Sequence, residues 1–144
     1  MLDATKGFDL TQQSNSGFVT DSCVCELLID GIKYPVHVGT PAYFQSVDKA
    51  RETLASLSSF QAQDYQAITE AVLKVRSATS EIVSNDEFNR RYASSEPNFM
   101  LDCRLCIYVI TETLQEFFNQ QDKIMQDVTK LDGLIEKVTN AGRN

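Results

Sequence analysis

The sequence contains no tryptophan and a single histidine, His37, and it has no apolar run long enough to cross a membrane. With one imidazole, a chain cannot bind a metal through several histidines, and any Cys–His or Ser–His catalytic pair would have to use His37. The sequence also lacks GxGxxG, GxxxxGK[ST] and HExxH motifs, which mark common nucleotide-binding and metalloprotease sites. We therefore expect a protein that is not an enzyme, needs no cofactor and does not enter a membrane.

The sequence also has fewer basic than acidic residues. Thirteen Lys and Arg against twenty Asp and Glu give a formal charge of −7, and no dense basic patch is present. This balance argues against a nucleic-acid partner, because binding a phosphate backbone needs concentrated positive charge. The first residues have no apolar centre of the kind that signal peptides carry, so we expect a cytoplasmic protein with reduced cysteines.

The chain divides into an extended polar arm, residues 1–17, and a single domain, residues 18–144. Within the domain, residues 19–38 predict a β-hairpin around the turn Asp30-Gly31. This turn places apolar residues or cysteine opposite one another on one face, in the pairs Ile29 with Ile32, Leu27 with Tyr34, Cys25 with Val36 and Cys23 with Val38. Pro35 then falls at a non-hydrogen-bonded pair, which predicts that its strand is an edge and that any third strand, such as one from the N-terminal arm, would join beside residues 19–29.

Residues 41–140 show helical periodicity. Thr40-Pro41 predicts a helix start, with an apolar face at Phe44, Val47, Ala50, Leu54 and Leu57. The predicted starts of the next three helices are a capping box at Ser58 and Gln61, another at Ser84 and Glu87, and the run Ser95-Glu96-Pro97. Their predicted ranges are 61–83, with an apolar face from Tyr65 to Ile82, then 85–93, and 97 to about 140. The predicted fold is α+β and mostly α: an N-terminal β-hairpin packed on a helical hairpin, with a long C-terminal coiled-coil-like helix.

An apolar stripe with spacings of three and four residues runs along this last helix. Its members are Met100, Cys103, Ile107, Ile110, Leu114, Phe117, Gln121, Ile124, Val128, Leu131, Ile135 and Val138. At 1.5 Å per residue the helix would be roughly 65 Å long and the helix at 61–83 only roughly 34 Å, so a helical hairpin covers about half of the stripe. We therefore predict a homo-oligomer, a dimer or a trimer, with Gln121 setting the register. The flanking positions are also apolar and make the stripe wider than a two-stranded seam, which favours a bundle of three or more helices; they are Phe99, Cys106, Phe118, Met125 and Leu134. The predicted interface comprises Leu114, Phe117, Gln121, Ile124, Val128, Leu131, Ile135 and Val138. The alternative is a break at Asp132-Gly133 that folds the last segment back.

The four cysteines form two closely spaced pairs. Cys23 and Cys25 share one face of a strand, and Cys103 and Cys106 lie near one face of a helix. If the helix covers the hairpin, four thiols could converge in a tetrahedral zinc site. The favoured alternative is that all four are small buried apolar side chains. A redox-active pair is disfavoured because Cys103 and Cys106 lie inside a helix, not at its start.

One further constellation could bind a ligand. Arg90 and Arg91 are the only adjacent arginines, and Tyr92 follows them. The guanidinium groups could bind a small anionic or nucleotide-like ligand while the ring stacks on it. The alternative is an ordinary solvent-facing helix.

The leading functional hypothesis is a non-enzymatic interaction protein, such as an adaptor, assembly factor or inhibitor, that acts as a homo-oligomer on another protein. The second hypothesis is a ligand-binding or sequestering protein with pockets between subunits, which would use Arg90, Arg91 and Tyr92. The third, a small acidic secretion or assembly chaperone, rests on composition alone.

Overall fold

The computed structural model describes residues 17–18, 24–59 and 63–142. Its elements are β1 (Val24–Ile29), β2 (Ile32–His37), α1 (Pro41–Ser56), a 3-10 turn (Leu57–Ser59), α2 (Tyr65–Val83), α3 (Asp86–Ser94) and α4 (Phe99–Gly142). The predicted fold class, a mostly helical α+β chain with a β-hairpin and a long C-terminal helix, is confirmed. The proposed arm, apart from Gly17, lies outside the described residues.

The β-hairpin has the predicted register. Ile29 pairs with Ile32, Leu27 with Tyr34 and Cys25 with Val36 across the turn, where Asp30 and Gly31 both have positive φ. Leu27 and Val36 are each 1% exposed, so the apolar face is the inner face. The predicted pair of Cys23 with Val38 and the predicted third strand involve residues outside the described ranges. Pro35 lies opposite Glu26 as expected, and the described part of the chain has a two-stranded sheet.

Helices α1 and α2 form an antiparallel pair. The side chain of Thr40 accepts a hydrogen bond from the Tyr43 amide, and Pro41 occupies the first turn of α1 as predicted. The Lys49–Glu81 ion pair links the middle of α1 to the late part of α2. Val47 and Ala50 on α1 are buried in the core that this pair encloses.

Three predicted helix starts are wrong. Helix α2 begins at Tyr65, because Asp64 accepts a hydrogen bond from the Ala67 amide and thereby caps the helix. The predicted start was residue 61, and Gln61 lies outside the described residues. Tyr65 is 75% exposed, since the first turn of α2 extends past the core.

The capping residue of α3 is Asn85, whose side chain accepts from the Phe88 amide, not Ser84. Ser84 instead ends α2 in a left-handed conformation. The sequence pattern misplaced this cap by one residue because both Ser and Asn are good capping residues.

Helix α4 begins at Phe99, two residues later than predicted. Asn98 caps it by accepting a hydrogen bond from the Leu101 amide. The helix then continues to Gly142 without a break at Asp132-Gly133. A Cβ placed on Gly133 would meet no atom within 4 Å, so the residue lies on an open side of the helix.

Helices α2 and α4 run in the same direction because α3 returns the chain between them. Arg76 on α2 donates a hydrogen bond to Asp102 on α4, and about one turn further along both helices Thr79 contacts Cys106. Further along α4, helix α1 makes the contact: the hydroxyl of Tyr43 on α1 donates a hydrogen bond to Thr113 on α4 at 2.6 Å.

The buried face of α4 is centred on Asp102, Cys106, Val109 and Thr113. This corrects the predicted stripe, because Met100 and Ile107 are 60% and 53% exposed. Cys103, Ile110, Leu114 and Phe117 are half-buried at the margin of that face. The sequence pattern predicted the helix correctly but assigned the wrong residues to its buried face. Two of the residues that are actually buried, Asp102 and Thr113, are polar and so do not appear in an apolar pattern.

Candidate functional site

The second half of α4 projects from the rest of the molecule. We call residues 121–142 the distal arm and the other described residues the body. Every residue of the distal arm is exposed. At 1.5 Å per residue its length is about 33 Å. Near the end of the body, the Phe117 ring contacts Phe44 with ring centres 5.0 Å apart and lies 3.6 Å from the Cβ position of Gly39.

The distal arm carries an apolar stripe that we call the distal stripe. It consists of Ile124, Val128, Leu131, Ile135 and Val138, whose exposed fractions range from 40% to 73%. The predicted interface residue Gln121 is also exposed, whereas Leu114 and Phe117 are half-buried against the body. The structure therefore places six of the eight predicted interface residues on the distal arm and two at its junction with the body.

The distal stripe continues the buried face of the body. Ile124 follows Cys106 by eighteen residues, which is five full turns of an α-helix, and Leu131 follows Thr113 by the same interval. Val128 follows Ile110 and Ile135 follows Phe117 in the same way. One face of one helix is thus buried by α1 and α2 in its first half and exposed in its second half.

Charged residues of the distal arm are arranged around this stripe. Lys123, Lys130 and Lys137 recur every seven residues on the opposite side of the helix, while Asp127 and Asp132 flank the stripe on its two sides. Met125 and Leu134, 57% and 59% exposed, widen it. This arrangement is typical of a helix that packs against another helix along one face.

A buried polar cluster lies at the start of α4, and the sequence patterns did not reveal it. One Nη of Arg76 lies 3.3 Å from Asp102, and the other donates hydrogen bonds to the carbonyl oxygens of Tyr92 and Ser95. The Tyr92 hydroxyl donates to Asp102 at 2.8 Å, and the amide of Asn98 donates to the same carboxylate at 2.9 Å. The carboxylate thus ties α2, α3 and the start of α4 together.

Burial in this cluster, followed by its hydrogen bond to Asp102, raises the pKa of Tyr92. The ring also lies under the Arg76 guanidinium, with the Cζ atom 4.2 Å from the ring centre. Every charge here has a partner, so the arrangement is typical of structure and not of catalysis. The one sequence feature that could have revealed this cluster is Asp102, which lies one helical turn before Cys106. A carboxylate on the buried side of a helix requires a nearby cation.

The predicted ligand-binding residues are not brought to one surface. Tyr92 points inward to Asp102, whereas the guanidinium groups of Arg90 and Arg91 both bind Glu87, at 2.9 Å and 2.7 Å. Hydrogen bonds from Arg91 and Arg90 lower the pKa of Glu87. Arg91 and Tyr92 line a cavity of about 300 Å³ between the hairpin turn and α4, and Arg90 is not among its lining residues.

The described cysteines have different surroundings. Cys25 approaches the carbonyl of Glu112 at 4.0 Å, and Cys106 is buried beside Thr79. Cys103 is half-buried, and Cys23 lies outside the described residues. Burial, together with nearby Glu116, Glu112 and Glu26, raises the pKa of the Cys25 thiol to about 11. In the ranges 24–59 and 63–142 no group of three or more His, Cys, Asp or Glu side chains is placed to hold a metal ion.

His37 is exposed at the end of β2. In the part of the chain that the structure describes, no helix combines the length and apolarity needed to cross a bilayer. No protein-family model matches this chain, and neither curated proteins nor solved structures give a match.

Proposed function

We propose that this chain is a non-enzymatic interaction protein of the cytosol that assembles into a homo-oligomer through its distal arm and acts as an adaptor, assembly factor or inhibitor. The observation that carries the proposal is the exposed distal stripe. Its five aliphatic side chains continue the face that the body buries, and no described residue covers them.

Physical chemistry favours a partner for this stripe. Burying a Val, Leu or Ile side chain contributes about 1.5–3 kcal/mol relative to full exposure. A helix that makes no tertiary contact is only marginally stable in water at this length, so the distal arm gains stability by packing. A second copy of the chain is always present at matching concentration and offers the same apolar face.

A second exposed stripe supports binding of another protein by the assembled form. Met100, Ile107, Phe118 and Met125 are separated by seven, eleven and seven residues, so they lie along one line on α4 to one side of the buried face. Each of them is more than half exposed. Aligned exposed apolar residues of this kind are typical of protein interaction surfaces.

Replacing two residues of the distal stripe tests the assembly. The double variant Ile124→Asp with Leu131→Asp puts two carboxylates per chain into the interface, and we expect the dissociation constant to rise at least about 100-fold. Multi-angle light scattering measures the mass. The matched control is Gln126→Asp with Thr129→Asp, which adds the same charge on the outward side of the same helix segment.

The body provides an internal check on folding. All five tyrosines lie before residue 117, so near-ultraviolet circular dichroism reports on the body and not on the distal arm. We expect both double variants to keep the spectrum of the unmodified protein. A stripe variant that keeps the oligomeric mass of the unmodified protein would contradict the proposal.

A further inference from the structure

The outer edge of β1 presents backbone groups that can pair with another strand. Hydrogen bonding alternates along the hairpin, and at Val24, Glu26 and Leu28 the N–H and C=O groups point away from β2. The carbonyl of Leu28 accepts a hydrogen bond from the Tyr108 hydroxyl at 2.6 Å. In the described part of the chain, the outer backbone groups of Val24 and Glu26 have no partner. The edge is therefore closed by α4 at one end and open at the other.

A groove of about 530 Å³ lies between this open edge and α4. Its volume is within the range of clefts that bind ligands. Three consecutive residues of β1 line the groove on one side and one face of α4 lines it on the other: Val24, Cys25, Glu26, Glu112, Gln115, Glu116 and Asn119. A strand added beside β1 would occupy this groove, because neighbouring strands lie about 4.8 Å apart.

The groove is acidic. Glu26 lines it from the strand, Glu112 and Glu116 line it from the helix, and none of its lining residues is basic. Burial is the main cause of the raised pKa of the Cys25 thiol, and all three carboxylates raise this pKa further, so their fields overlap in the groove. Lys33 lies 3.6 Å from Glu26, but both side chains are about two-thirds exposed, so the pair is weak. A strand in the groove must therefore bring positive charge.

The pleat of a strand determines where that charge belongs. Side chains of an added strand would point alternately toward α4 and toward the outer face of the hairpin. Those facing α4 would meet Glu112 and Glu116, and those facing outward would lie beside Val24 and the half-exposed Leu28. The complementary sequence therefore alternates Lys or Arg with β-branched residues.

Two candidate strands from the chain itself match this groove less well. Residues 1–17 contain one lysine and two aspartates, so they do not supply the positive charge. Edge-to-edge pairing of β1 with β1 of a second copy would bring the carboxylates of two acidic grooves together, and like charges on adjacent strands are destabilising. Charge complementarity thus favours a segment of another protein.

We propose that the outer edge of β1 and the facing surface of α4 bind an extended basic segment of another protein, which adds a third strand beside residues 24–26. This inference rests on the proposed function as an interaction protein, since it specifies the chemistry of the partner. It uses a surface separate from the distal stripe, so binding at the groove and assembly through the distal arm can fail independently.

A dye-labelled peptide, Thr-Lys-Val-Lys-Thr-Lys-Val, tests the charge complementarity by fluorescence anisotropy. We expect saturable binding that Glu112→Gln with Glu116→Gln weakens about tenfold. The matched control, Glu52→Gln with Glu70→Gln, removes the same charge from exposed positions on α1 and α2 that do not line the groove, and it should keep the affinity of the unmodified protein. The absence of saturable binding, or equal affinities of the two double variants, would overturn the proposal.

Hydrogen exchange followed residue by residue with nuclear magnetic resonance tests the main-chain pairing. With the same peptide bound, the amides of Val24 and Glu26 should exchange at least about tenfold more slowly, whereas those of Cys25 and Leu27, which already bond to β2, should keep their rates. Unchanged rates at Val24 and Glu26 would overturn strand addition. Slow exchange there before the peptide is added would show that the edge is already paired, and would also overturn it. Neither result alters the oligomeric mass, which tests the proposed assembly.

Discussion

The two halves of α4 share one helix and one apolar face but differ in what covers that face. In the body, Val109 is fully buried among α1, α2 and the hairpin, while Val128 in the distal arm is 40% exposed. In the body the face also includes Asp102 and Thr113, which have hydrogen-bonding partners on other elements, whereas the distal stripe is purely aliphatic. The face in the body is covered by other elements of the same chain, which supply its polar groups with hydrogen-bonding partners. The distal stripe has no polar groups that need such partners, so a second copy of the chain could cover it.

The largest difference between the halves is expected for their aspartates. Asp102→Ala leaves Arg76 buried without its carboxylate, and removing one partner of a buried ion pair costs about 3–5 kcal/mol. Asp132→Ala, on the exposed distal arm, should change the free energy of unfolding by less than about 0.5 kcal/mol. Urea denaturation followed through the tyrosines measures both, in the monomeric Ile124→Asp and Leu131→Asp background. Equal costs would remove the distinction between body and arm.

A smaller contrast is expected for two valines on the same helix. Val109→Ala removes two buried methyl groups, and the lost burial and the resulting cavity should lower the free energy of unfolding by about 2 kcal/mol. In the same monomeric background Val128→Ala should leave this free energy unchanged within about 0.5 kcal/mol. In the otherwise unmodified protein it should weaken the oligomer. A loss of body stability from Val128→Ala would show that the distal stripe packs within its own chain.

The smallest effect is expected at Gly133. Alanine there fits without contact and lies on the outward side of the helix, so Gly133→Ala should stabilise the distal arm by about 0.5–1 kcal/mol. Thermal melting followed by far-ultraviolet circular dichroism measures the gain, and the oligomeric mass should stay the same. Destabilisation would indicate that Asp132-Gly133 forms a turn in solution.

Local sequence rules were sufficient to predict the hairpin with its register and to predict that each of the four helices exists. Turn chemistry and strand alternation agree at Asp30-Gly31, so a single register satisfies both. The inner face of α4 could not be predicted as reliably, because Asp102 is buried only when Arg76 reaches it across 26 residues of sequence. The same long-range contacts direct Tyr92 inward and away from Arg90. Capping rules misplaced three helix starts because several residues near each start have similar capping ability.

Sedimentation equilibrium of the unmodified chain over a broad dilution series tests the central claim most directly. The account predicts a reversible transition from one chain to a homo-oligomer as concentration rises, shifted to at least about 100-fold higher concentration by Ile124→Asp with Leu131→Asp. A chain that sediments as a monomer at every concentration, with its distal stripe exposed to water, would contradict it.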